Sequence, residues 1–148
     1  MGQVTRIRSE RGLVETRERI LNALRKSDVF ATFERVQLGE IADNCVLLRV
    51  PRRRRIYGQG EPIAGLYVVA TGRVRVVRGA GESRALTVAY RSPGEVIGEI
   101  AITQRVTHED TATATDPVEV VQVPMRQVQD LLARNIEVAR RLLSLMVE

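Results

Sequence analysis

The stretch Gly65-Leu66-Tyr67-Val68-Val69-Ala70-Thr71-Gly72-Arg73-Val74-Arg75-Val76 decides the fold class. Val74 and Val76 alternate with Arg73 and Arg75, the period of two that turns one side of a strand to the core and the other to water. Leu66, Val68 and Ala70 carry the same period just upstream, and Thr71-Gly72 reads as the hinge between two partner strands.

Working outward, the period of two runs from Val46 to Val123. Gly79-Ala80-Gly81-Glu82 is a turn, Arg84 to Tyr90 resumes the alternation, and Ser92-Pro93-Gly94 turns the chain again. Val118 to Val123 is the last strand, entered through Asp116-Pro117. Short strands about ten residues apart, with turn signals between them, indicate a sandwich or barrel-like roll. On the N-terminal side, Leu13, Val14, Ile20, Leu21 and Leu24 recur at helical spacing and predict a helix over Val14–Lys26, stopped near Ser27-Asp28. A second helical stretch carries Phe33, Val36, Ile41 and Ala42 and ends at Asn44. Beyond Pro124, Val128, Leu131, Leu132, Ile136, Ala139, Leu142, Leu143 and Met146 return to the helical rhythm. Asn135 divides that rhythm into helices over Met125–Arg134 and Ile136–Val147. The expected architecture is α+β, an antiparallel β-roll of the jelly-roll kind flanked by N- and C-terminal helices. Residues 1–28 read as an N-terminal helical extension and residues 29–148 as the domain proper.

At 148 residues the chain is long enough for one well-filled domain. Aromatics make up 3% of it and Trp is absent, so the core has to be built from Val, Leu, Ile and Ala. No apolar run is long enough to span a membrane, and the first residues lack a secretory leader, which together lead us to expect a cytoplasmic protein. Cys45 is the one cysteine; beside Val46, Leu47 and Leu48 it reads as a buried structural thiol. One Cys and one His do not build a metal site, and no Gly-x-Ser-x-Gly frame surrounds Ser83, Ser92 or Ser144. The expectation is a non-enzymatic protein with no catalytic and no metal residues. The net charge of +5 is uneven: residues 49–91 hold ten Arg and two acids, net +8, which leaves −3 for the rest. The run Arg52-Arg53-Arg54-Arg55 dominates that segment and reads as an exposed, solvated turn, with a polyanion-docking surface as the alternative.

Several blocks together resemble the cyclic nucleotide-binding domains of catabolite activator-type regulators and of protein kinase A regulatory subunits. They are Val50-Pro51, Ile56-Tyr57-Gly58-Gln59-Gly60-Glu61-Pro62, Gly65 to Val69, Gly72 to Val76, Pro93 to Ile102, and Ala112-Thr113-Ala114. The resemblance covers roughly Phe30 to Met146 and implies a β-roll with a phosphate-binding cassette, and cyclic AMP or cyclic GMP as the ligand, with no other cofactor. Carried over, Gly98 gives the close backbone approach, Glu99 accepts the ribose hydroxyl, and Ile100 and Ala101 present backbone N–H groups. Ala112 and Thr113 would lie against the phosphate. The sequence departs from the family at the end of the cassette: Asp110 stands where the family has an arginine. A carboxylate within a few ångströms of a phosphate opposes binding by on the order of several kcal/mol at an effective dielectric near 20. Arg105 and His108, in the same loop, are the candidate replacements for that arginine. Arg53 falls where the family often has a glycine.

The resemblance further implies that ligand repositions the helices after the roll, with output through protein contacts. Nothing after Pro124 reads as a helix-turn-helix, so a stand-alone sensor without a DNA-binding domain is expected, dimeric or partner-bound through its C-terminal helices. The alternative is a degenerate member of the same fold that binds no nucleotide and acts as a protein interaction module.

Overall fold

Four successive residues, Leu66, Tyr67, Val68 and Val69, are all buried, which a strand with one wet face does not allow. The reason lies in the layering. A computed structural model describes residues 3–7, 13–79, 86–103 and 105–147. Its elements in order are β1 (Thr5–Arg6), α1 (Leu13–Lys26), α2 (Arg35–Asp43), β2 (Val46–Val50), β3 (Arg55–Tyr57), β4 (Gly65–Thr71) and β5 (Val74–Arg78). There follow β6 (Leu86–Arg91), β7 (Val96–Ile97), a 3-10 turn (Glu99–Ile102), β8 (Thr111–Ala114), β9 (Val118–Pro124), α3 (Met125–Arg134) and α4 (Ile136–Val147). One antiparallel sheet has the order β1-β2-β9-β4-β7 and the other β3-β8-β5-β6. The five-stranded sheet is the middle layer. Its Leu47, Leu66, Val68, Val121 and Val123 face α1 to α4 in one core. Val50, Tyr67, Val69, Val118 and Val120 face the second sheet in another, completed by Val74, Val76, Ala112 and Ala114. The α+β roll with flanking helices is the architecture expected.

The hinge at Thr71-Gly72 does not join paired strands. β4 pairs with β7 and β9, whereas β5 pairs with β6 and β8, so the chain passes here from one sheet to the other. Gly72 has φ 83°, and a Cβ there would meet the Pro117 carbonyl oxygen at 2.5 Å. Only glycine fits that crossing. The alternation on either side was a sound sign of strands, but period alone does not say which strands pair.

The helices match their expected spans within a residue or two. Their faces differ in detail: Val14 and Val36, placed on the apolar stripes, are exposed, and Leu38 fills the core instead of Val36. Leu142 is buried against the roll, while Leu143 and Ile136 face outward. The Cys45 thiol is buried as expected and donates to the Ile41 carbonyl at 3.2 Å; burial pushes its pKa up to about 12. The turn at 80–82 and the start of the strand expected from Arg84 lie outside the described residues. No helix among the described residues is long and apolar enough to cross a membrane.

Candidate functional site

β7 ends at Ile97, and Gly98 then takes φ 75° to turn the chain into the 3-10 helix. An added Cβ there would lie 3.4–3.6 Å from the Tyr67 ring, the Tyr57 ring and the Gly65 carbonyl. That is ordinary contact, so the need for glycine at this point is conformational rather than steric. The turn has two sides. Gly98, Glu99 and Ile100 line a pocket of about 190 Å³ together with Arg78, Glu109 and Asp110. Ala101 points the other way and is buried in the core that holds Val128, Leu131, Val138 and Leu142 of α3 and α4.

The pocket is acidic, with three carboxylates to one guanidinium. Burial pushes the Glu99 carboxyl above its ordinary value; the nearby Arg91 guanidinium opposes this and Asp110 adds to it. Asp110 is held by the Tyr57 hydroxyl, which donates to Oδ1 at 2.9 Å. Burial, and then the neighbouring Asp110 carboxylate, hold that hydroxyl protonated and well above its ordinary range. Tyr57 stacks on Tyr67 at 5.8 Å between centroids and on His108 at 3.7 Å. The polar wall of the pocket is therefore braced by aromatic rings from β3 and β4.

Neither of the two residues read as replacements for the missing arginine is in the pocket lining. Arg105 is exposed and paired with Glu109. His108 is 2% exposed, and neither ring nitrogen has a hydrogen-bond partner among the described residues. Burial lowers its pKa, against the pull of the Asp110 and Glu61 carboxylates. A solvated loop histidine is the ordinary expectation, and the structure overturns it: the ring closes the roll against Tyr57. Ala112 and Thr113 lie on β8 outside the pocket lining; Ala112 is buried in the inter-sheet core and Thr113 lies on the opposite face of the strand.

Arg78 was missed. The signal was present in the alternation that opened the sequence, for Val74, Val76 and position 78 share one face of β5, and the third carries a charge where the roll opens.

The family model of the cyclic nucleotide-binding domain matches residues 47–135. The chain belongs to the cyclic nucleotide-binding domain family. A CRP-like cAMP-activated global transcriptional regulator of Mycobacterium tuberculosis is 22% identical to it over 120 residues, 81% of this chain and 54% of that protein. A cyclic AMP receptor protein of Thermus thermophilus is 31% identical over 101 residues, 64% of this chain and 47% of that protein. The chain thus spans about half the length of these regulators. The co-crystal structure of the regulatory domain of Toxoplasma gondii PKA with cAMP superposes with a TM-score of 0.78 at 17% identity, over 93% of this chain and 52% of that one. Within this cyclic nucleotide-binding domain, the matched region contains the whole pocket and α3, and it stops where α4 begins.

Proposed function

We propose that this domain is a regulatory sensor that takes a cyclic nucleotide weakly at the pocket of the 3-10 turn and signals through α3 and α4. One observation carries the reading: the turn offers Glu99 and Ile100 to the pocket and Ala101 to the helical core, so a shift on one side is felt on the other. α4 is also tied to the turn that follows α1, where the Arg141 guanidinium donates to the Asp28 carbonyl at 2.8 Å. Movement of α4 would break that bond, so the proposed signal would be read as a change at this contact. The proposed role is binding, not catalysis, in the cytoplasm, with a second copy or a partner protein receiving the signal.

Weak affinity follows from Asp110 and Glu109, whose carboxylates oppose a cyclic phosphate in the same pocket. We expect calorimetric titration with cyclic AMP, cyclic GMP and cyclic di-GMP to give dissociation constants above roughly 10 µM. Nanomolar binding of a mononucleotide would overturn the reading of the carboxylates. The same acidic lining favours a second reading, a degenerate domain that binds partners without nucleotide. That reading gains if no titration shows heat and the Asp110→Arg variant binds no better than its parent.

A further inference from the structure

We infer that Arg78 supplies from β5 the phosphate-directed charge that is missing at Asp110, just before β8, so that the arginine of this pocket has moved one strand sideways. The ladder between β5 and β8 pairs Val74 with Ala114, Arg75 with Thr113, Val76 with Ala112 and Val77 with Thr111. Continued by one residue, the same register sets Arg78 opposite Asp110. Cross-strand neighbours on one face lie about 5 Å apart at Cβ, within reach of each other's side chains. Both residues belong to the face that carries Val74, Val76, Ala112 and Ala114 into the roll, and both line the pocket beside Gly98, Glu99 and Ile100.

Arg78 has freedom to serve. It is exposed, and among the described residues its guanidinium makes no ion pair and no hydrogen bond. Two other basic groups near the cassette, among the described residues, are already engaged: Arg105 holds Glu109, and Arg91 pairs with Glu95 at 3.7 Å. Asp110 is occupied as well, since the Tyr57 hydroxyl donates to it and turns one of its oxygens toward the roll interior. An anion entering the pocket therefore meets a planar, permanently charged fork from β5 and the turn's backbone from the other side.

This inference rests on the pocket being the nucleotide site, and the test keeps the two apart. Cyclic AMP and adenosine are titrated into the wild type, Arg78→Gln, Asp110→Asn and the double variant, with far-UV melting to confirm that each is folded. Adenosine has no phosphate and reports the rest of the site. We expect Asp110→Asn to bind cyclic AMP about tenfold more tightly than the wild type. Adding Arg78→Gln should remove at least that gain while leaving adenosine unchanged, and Arg78→Lys should restore part of it. Equal cyclic AMP affinity with and without Arg78 in the Asp110→Asn background overturns the role of Arg78 alone. Absence of cyclic AMP and adenosine binding in every variant overturns the nucleotide site, and the inference with it.

Discussion

Arg53 occupies the left-handed region at φ 71°, the one non-glycine residue among those described to do so. Its N–H donates to the Ala114 carbonyl at 2.8 Å, so the β2–β3 turn holds it there despite the clash between Cβ and backbone. Arg53→Gly relieves that clash at some entropic cost in the unfolded chain, and we expect a net gain of roughly 0.5–1 kcal/mol, read as a higher melting temperature. The position was legible in the sequence because the family resemblance places a glycine there. His108 was not legible, since a polar loop gives no hint of a tyrosine face supplied by a distant strand. Its pH behaviour follows from burial. The folded state resists the proton that the unfolded chain takes up near pH 6.5, so stability is greatest above about pH 6.5 and falls as the pH drops below it. His108→Phe keeps the stack with Tyr57 and removes this titration. The loss of melting temperature between about pH 7 and pH 5 should be smaller in the variant than in the wild type. An equal loss in both would show that the imidazole is not held neutral.

At the scale of elements, the helices were easy to find and their faces were harder. Helical spacing gives the stripe, but which flank of it is covered depends on the neighbour, as exposed Val36 beside buried Leu38 shows. α4 makes the same point with consequences for assembly. The expected dimer stripe included Leu142, which in fact is 1% exposed and packed into the helical core, whereas Leu143 is 55% exposed. The two neighbouring leucines should therefore separate stability from association. Leu142→Ala opens a cavity and should cost about 3 kcal/mol in denaturant unfolding. Leu143→Asp should leave unfolding almost unchanged and lower any self-association seen by sedimentation, if α4 is the contact between copies. A monomeric wild type at high concentration would remove dimerisation from the account. The strand pairing was the least legible element. A hairpin and a sheet-to-sheet crossing both read as strand, glycine, strand, and only the pairing of β4 with β7 and β9, and of β5 with β6 and β8, distinguishes them.

At the scale of the molecule, the class, the roll and the position of the cassette could be read from period and spacing, whereas the charge lining the pocket could not. Asp110 was visible in one dimension, but Arg78 becomes its neighbour only through the β5–β8 register. The basic segment leads to a further expectation. Arg52 to Arg55 lie exposed around the β2–β3 turn. Replacing all four by Ser should shift stability by no more than about 0.5 kcal/mol apart from the change at Arg53. Neither duplex DNA, RNA nor anionic vesicles should bind the wild type in a steeply salt-dependent way. Submicromolar binding that vanishes with salt and with the fourfold replacement would instead make the turn a docking surface. The sheet order carries a different consequence, for the protein as it is made. β9 lies between β2 and β4 in the middle sheet, yet it is translated after both. Until residues 118–124 leave the ribosome, two apolar strand edges wait in the nascent chain with no central partner. The middle sheet can therefore close only once β9 has been made, so its assembly waits on pairings between segments far apart in the sequence.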